Sequence, residues 1–320
     1  IITRTPFRIS FVGGGTDLRE FYKDEFGHVL SSSIDQCIYV VVKKQTEIVE
    51  FKYRINWSKV EFKQDVADIE HPIVRECLKK LDIDFPLEIT TFADIPAQSG
   101  LGSSSSFTVG LLKALYALLE KDISNYDLAN LAAEVEVDIL KRNMGKQDHF
   151  AAAYGGLNTF KFLPDESTEI SKIELSSEAL RNFSSNLLLF YTGQTRNASV
   201  ILKEQTAQTK KKFQELKTMK DLVPIASKAL EEENFEEFAK ALNINWELKR
   251  NLTSITSNNS IDKYYDSAIK KGALGGKLLG AGGGGFLCFY VEQNKKNSVI
   301  SALTDLYFTK FNLSSSGSEV

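Results

Sequence analysis

Cysteine is scarce: Cys37, Cys77 and Cys288 are the only three in 320 residues, odd in number and far apart. That pattern excludes a disulfide scaffold and fits a reducing, cytoplasmic compartment. Cys288 stands in the apolar run 286–291 and reads as a small core residue. No apolar run approaches the roughly 18 residues of a membrane span, so no membrane partner is expected. No secretory leader is visible either. With 39 basic and 42 acidic residues the net charge is −3, without the basic excess that nucleic-acid binders carry. There is no internal repeat. The P-loop sequence G-x-x-x-x-G-K-[ST] is also missing, because Gly145-Lys146 is followed by Gln147 and Gly276-Lys277 by Leu278.

What is present is an ordinary globular composition, 42% hydrophobic and 25% charged, on a chain long enough for two domains. The first 90 residues read mainly as strands, at 8–12, 38–42 and 87–92, with a hairpin region at 48–57 and helical spacing at 71–81. Helices are predicted over 107–119 and 126–143. The inner stripe of the second is Leu128, Leu131, Ala132, Val135 and Ile139. Strands are predicted at 156–162 and 186–191. The pattern from 196 to 271 is helical, with Pro224 near the start of one helix or kinking it. A strand at 286–291, a helix near 297–306 and a strand near 308–313 close the chain, and the tail 314–318 is expected to be disordered. A boundary near 183–186 divides a strand-rich domain, residues 1–183, from a helix-rich one, residues 184–320. Runs of strands followed by runs of helices indicate an α+β fold.

Three glycine clusters stand out. Gly13-Gly14-Gly15-Thr16-Asp17 follows the first strand. Pro96-Ala97-Gln98-Ser99-Gly100-Leu101-Gly102 leads into Ser103-Ser104-Ser105-Ser106 and a long apolar-periodic segment. Glycines let backbone N–H groups converge, and a following helix adds its positive end, so this loop reads as a phosphate site. The competing reading is a Ser-rich helix cap without a ligand. Gly280-Ala281-Gly282-Gly283-Gly284-Gly285 has the spacing G-x-G-x-x-G, yet it opens a strand where the dinucleotide fingerprint must open a helix. A plain tight turn explains it equally well. Asp148, in Met144-Gly145-Lys146-Gln147-Asp148, and likewise Glu136 and Asp17, read singly as caps or solvated charges.

Taken together and in this order, the motifs resemble those of the GHMP kinases, the superfamily of galactokinase, homoserine kinase and mevalonate kinase. Residues 5–17 resemble its first motif, 96–106 its P-x-x-x-G-L-G-S-S-[AS] phosphate loop, and 277–286 its third. Four stretches, 11–18, 145–148, 191–196 and the serine run, are similar to the bacterial D-glycero-D-manno-heptose 7-phosphate kinases. The resemblance implies a ribosomal-protein-S5-like N-terminal domain and a ferredoxin-like C-terminal domain. It also implies ATP and Mg²⁺ as cofactors and a small-molecule sugar or sugar phosphate as partner, with the oligomeric state open.

The site residues follow by the same resemblance. Gly100, Leu101, Gly102, Ser103, Ser104 and Ser105 would wrap the ATP phosphates. Ser104 and Glu136 would share Mg²⁺, Glu136 lying twelve residues before Asp148 as in galactokinase, with Glu134 the weaker match. Asp148 would be the catalytic aspartate, and Arg8 would stand beside the transferred phosphoryl group. Asp17, with Gly14 and Gly15, would meet the sugar, and Gly282 and Gly283 would approach substrate from the second domain. Lys146 and Arg196 are candidates for the phosphate of the sugar. Two departures matter. Galactokinases carry Glu-His where Gly14-Gly15 stand, which counts against galactose. Gln98 replaces a usual glycine, which leaves a non-catalytic sugar sensor as the alternative beside kinases for fucose or galactose.

Overall fold

A computed structural model describes residues 1–194 and 198–320. Strand β1 (Ile2–Val12) and the 18-residue β2 (Gly27–Lys44) pair antiparallel along their length and carry α1 (Arg19–Tyr22) between them. The hairpin β3 (Tyr53–Asn56) and β4 (Val60–Lys63) follows, then α2 (Pro72–Lys80) and β5 (Leu87–Ala93). The hairpin lies later than the 48–57 region expected for it. Helix α3 (Ser103–Leu118), α4 (Asn125–Ala133) and α5 (Gln147–Tyr154) precede β6 (Leu157–Phe162) and β7 (Thr168–Lys172). The sheet runs β4-β3-β5-β2-β6-β7, with β1 on the other edge of β2.

After α6 (Ser177–Ser185), strand β8 (Leu187–Tyr191) begins a second sheet. It is completed by β9 (Ala273–Leu278), β10 (Phe286–Val291) and β11 (Tyr307–Thr309) in the order β11-β8-β10-β9, antiparallel throughout. Numbered within the sheet this is 4-1-3-2, the order of a ferredoxin-like sheet. Between β8 and β9 run α7 (Ala198–Gln208), α8 (Phe213–Glu231), α9 (Phe235–Arg250) and α10 (Asn259–Lys270); α11 (Lys296–Ala302) precedes β11. Pro224 lies in the middle of α8, not near its start.

Local chemistry accounts for the helix starts. Ser124, Ser176, Asn234 and Asn258 cap α4, α6, α9 and α10 through side-chain oxygens, and Pro72 occupies the first turn of α2. The 126–143 helix departs from expectation: after Ala133 it continues as a π-helical turn over Glu134–Ile139. The extra residue per turn rotates the inner stripe, leaving Ile139 exposed while Val135 and Glu136 are buried.

An aromatic cluster closes the seam between the sheets. Phe11 on β1 meets Phe238 on α9 at 5.4 Å and Phe183 at 5.9 Å in edge-on contacts. The tail is not disordered. It folds back onto the first sheet, where Arg4 and Glu319 exchange backbone hydrogen bonds of 2.9 and 3.0 Å and Ser318 Oγ meets Thr5 Oγ1 at 2.8 Å. Gly317 is needed there, because a Cβ would lie 2.2 Å from the Ala153 carbonyl. The three cysteines are buried and unbridged. No helix among the described residues is long and apolar enough to cross a membrane.

Candidate active site

Arg8 and Asp148 come together although 140 residues separate them. Arg8 Nε donates to Asp148 Oδ1 at 2.7 Å and Nη2 to Oδ2 at 2.8 Å, a bidentate fork in which Arg8 is buried. The pairing of β1 shifts register between Pro6 and Arg8, an irregularity of the kind that re-aims a side chain. Asp148 lies in the first turn of α5. The third arm of the guanidinium, Nη1, donates to the Gly100 carbonyl at 2.8 Å. The pair is thereby tied to the second glycine cluster.

That cluster is built for close approach. Gly100 and Gly102 have φ of +86° and +79°. A Cβ on Gly100 would lie 2.7 Å from the Leu279 carbonyl, and one on Gly102 would press on both Arg8 and Asp148 at 3.4 Å. Gly102 starts α3 in the left-handed conformation, without a side-chain cap. The four serines are therefore the first turn of the helix and not its cap. The positive end of α3 opens between Gly102 and Ser105 with no side chain of its own to satisfy it. The hydroxyls of Ser99 and Ser105 are buried without a partner among the described residues. Gln98 also has a positive φ, +61°, which is why glycine suits that position.

Glu136 is fully buried behind this turn. Its Oε2 accepts from Ser104 Oγ and, at 2.5 Å, from Arg142 Nη1. Its Oε1 accepts from Thr108 Oγ1 at 2.8 Å and lies 3.2 Å from His149 Nε2. Burial pushes the carboxyl pKa up, but His149, Arg142 and Ser104 together outweigh it and hold the group at about 2. Glu134, on the other side of the π turn, pairs with Lys80 at 2.7 Å on the surface.

The first cluster turns beside the same pair. Asp17 is buried, its Oδ1 accepting from Gly15 N and Gln147 Nε2 at 2.9 Å each and its Oδ2 from Gln147 N at 3.2 Å. Burial, and then the charge of Asp148, raise its pKa. A Cβ on Gly14 would meet Ser10 Oγ at 3.1 Å and Gln147 Nε2 at 3.5 Å. Ser10 Oγ and Gln147 Oε1 are buried without partners among the described residues.

The second half of the chain closes over this site through the third cluster. A Cβ on Gly280 would lie 2.5 Å from Gly100 Cα, and one on Gly285 would lie 2.4 Å from the Ser99 carbonyl. Two glycine loops thus pack backbone to backbone. Gly282 and Gly283 instead lean on the loop before α10, where Gly283 N donates to the Thr256 carbonyl at 2.8 Å. Lys277 is buried and donates to the Ser10 and Phe11 carbonyls at 2.8 Å each, clipping β9 to β1. Lys277, Arg142, His149, Gln147 and Lys249 have no role that the sequence pattern reveals. Gln147 and Lys277 lay inside quoted motifs, but nothing in the spacing showed which way they face.

Lys146 is already engaged. Its Nζ donates to Glu166 Oε2 at 2.7 Å and lies over the Tyr22 ring, so an acceptor phosphate would have to displace a carboxylate there. Arg196 lies outside the described residues.

An uncapped helix end and a Gly-rich cradle form an anion-receiving turn, and a fork-paired aspartate stands beside it. Comparison with known proteins agrees. The GHMP kinases N terminal domain matches residues 71–156, and the GHMP kinases C terminal domain matches residues 226–308. The chain is 30% identical to the D-glycero-alpha-D-manno-heptose 7-phosphate kinase of Campylobacter jejuni subsp. jejuni serotype O:2, over 97% of each protein. It is 24% identical to a galactokinase of Pyrococcus furiosus, over 97% of this chain and 94% of that one. A crystal structure of a D-glycero-D-manno-heptose 1-phosphate kinase from Bacteroides thetaiotaomicron superposes with a TM-score of 0.76 at 25% identity, covering 99% of this chain and 97% of that one. The chain belongs to the GHMP kinases, with the two-domain fold of that family, and is a phosphotransferase with an alcohol group as acceptor.

Proposed function

We propose that this GHMP-family sugar kinase transfers the γ-phosphoryl group of MgATP to the anomeric hydroxyl of D-glycero-D-manno-heptose 7-phosphate, giving the 1,7-bisphosphate for nucleotide-activated heptose and surface glycans. The observation that carries the chemistry is the Arg8–Asp148 fork at the rim of the Gly100–Gly102 loop. The heptose assignment is supported by the 30% identity to the C. jejuni enzyme over nearly the full length of both proteins. It is also supported by Gly14 and Gly15, which carry no side chain into the acceptor space.

Asp148 accepts the proton of the attacking hydroxyl, and Arg8 holds that carboxylate in place. The N–H groups of Gly100, Leu101, Gly102, Ser103, Ser104 and Ser105 hold the phosphates. Asp17, fixed by Gln147 and Gly15, receives sugar hydroxyls. Ser104 and Glu136 supply hard oxygen ligands, a set that fits Mg²⁺, which takes few ligands from protein. Mg²⁺ would take its remaining ligands from phosphate oxygens and water. When bound, Mg²⁺ supplies charge neutralisation at the transferring group. Lys146 and Arg196 are the cations assigned to the sugar's own phosphate, and the domain boundary falls near 183–186.

ADP release from MgATP with heptose 7-phosphate, free heptose, fucose and galactose tests this reading. Heptose 7-phosphate should give the highest kcat/KM. A clear preference for fucose or galactose would replace the substrate, and tight sugar binding without ADP release would make the protein a sensor.

A further inference from the structure

Helix α9 presents Asn245 and Lys249, one turn apart, to the first domain. Both are buried. Asn245 Oδ1 accepts from Gly13 N at 3.0 Å, in the first glycine cluster. Lys249 Nζ donates to the Gly280 carbonyl at 2.6 Å, in the third. Gly280 packs directly on Gly100, whose carbonyl takes Arg8 Nη1. The Lys249 ammonium thus sits on the third glycine cluster where that cluster packs against the second, within the electrostatic reach of Arg8, Asp17 and Asp148.

Its bonding is incomplete. An ammonium has three donors, and Lys249 has one hydrogen bond and no ion pair among the described residues. The neighbouring cations are engaged: Arg8 by Asp148, Arg142 by Glu136, Lys146 by Glu166, and Lys277 by two carbonyls. Burying an unpaired charge is costly unless an anion arrives to meet it. The groups that face Lys249 electrostatically are Arg8 on β1, Asp17 after it, Asp148 on α5 and Lys277 on β9. Burial first, then repulsion from Arg8, lower its pKa to about 8, against the pull of Asp17 and Asp148.

We infer that Lys249 is a cation, supplied by the second domain, that contacts the phosphoryl group as it passes from nucleotide to acceptor. The inference rests on the MgATP-kinase reading above but not on which sugar accepts. Phosphoryl transfer is catalysed by positioning and charge neutralisation, and the Arg8 charge is already shared with Asp148. The α9 face adds to the site a cation that, unlike Arg8, no carboxylate pairs with among the described residues. Like-charge repulsion from Arg8 and Lys277 is relieved when the anion binds.

The test uses the intact protein with Lys249→Met and Lys249→Arg. Binding of MgADP is measured with and without aluminium fluoride, which mimics the transferring group and needs no acceptor. Lys249→Met should bind MgADP within threefold of the parent but lose the gain in affinity that fluoride brings, by about 100-fold. With an accepted sugar its kcat should fall by a similar factor, with KM for that sugar within threefold. Lys249→Arg should keep most of the activity, and should hold kcat/KM above pH 8, where the parent loses it. The Arg variant carries the test if the Met variant misfolds. Unchanged fluoride enhancement in Lys249→Met, or a rise confined to KM for a phosphorylated sugar, would overturn the inference. So would equal losses in both variants with an unaltered pH profile. A parent protein that gains nothing from fluoride and releases no ADP with any sugar would sink the kinase reading itself.

Discussion

Arg8 and Asp148 form a two-bond fork, 2.7 and 2.8 Å, that joins the first strand of the protein to the first turn of α5. The fork orders the site, because the same guanidinium also holds the Gly100 carbonyl. Asp148→Asn keeps the shape but cannot take a proton. It should lower kcat by about 10² or more while leaving MgATP affinity within threefold. Stopped turnover assays alongside calorimetric ATP titration check both numbers. Near-normal turnover would remove Asp148 as the base.

Glu136 ties together α3, the π turn and α5. Its pKa is held near 2, below its ordinary 4.5. A depressed carboxylate contributes stability that is complete above its unfolded value and is lost as pH falls through its folded one. The protein should therefore lose stability between about pH 4.5 and pH 2, and Glu136→Gln should show a flatter acid limb in urea titrations across that window. An identical limb would show that Glu136 does not set it. The same variant should raise the magnesium concentration needed for half-maximal activity. Arg142→Gln should lower it, since Arg142 competes for the Glu136 Oε2 atom.

Two glycines meet where the domains touch. Gly100→Ala places a methyl 2.7 Å from the Leu279 carbonyl at a φ of +86°. The expected cost is about 2 kcal/mol or more, with a rise in KM for ATP, because the loop must withdraw from the third cluster. A melting curve and an ATP saturation curve within error of the parent would contradict the packing described.

Gln98 bears strain without a visible return. Its φ of +61° costs a side-chain-bearing residue roughly 1 kcal/mol that glycine avoids. Part of that gain is cancelled by the freer unfolded chain. Gln98→Gly should raise Tm by about 1 °C, whereas Gln98→Ala should leave it unchanged. A fall in Tm for Gln98→Gly would mean that the Gln98 side chain makes a stabilising interaction.

Most strands and helices were legible from apolar periodicity, and β10 lies at the 286–291 expected for it. The glycine clusters and Asp148 were legible as motifs. The direction of side chains was not. Whether Glu134 or Glu136 faces α3 depends on a π turn that has no signature in spacing. The serine run read as part of a phosphate site, with a helix cap as the competing reading; Gly102 takes the cap position by adopting the left-handed conformation. Lys249 is invisible in sequence because a lysine in the last turn of a helix is ordinarily a solvated charge. The tail read as disordered because Ser314-Ser315-Ser316-Gly317-Ser318 is polar. Its order comes from partners more than 280 residues away, at Arg4, Thr5 and Ser33.

Removing residues 314–320 takes away the Arg4–Glu319 backbone pair and the Thr5–Ser318 contact at the edge of β1. The truncated chain should melt several degrees lower, with kcat/KM reduced at elevated temperature only. An unchanged Tm would show that the tail contributes nothing.

Phosphorus NMR of the product reads directly where the phosphoryl group goes. With MgATP and D-glycero-D-manno-heptose 7-phosphate, a second sugar phosphorus resonance coupled to the anomeric proton should appear beside the retained 7-phosphate signal. A new phosphate coupled to any other ring proton, or no new sugar phosphate at all, would contradict transfer to the anomeric hydroxyl.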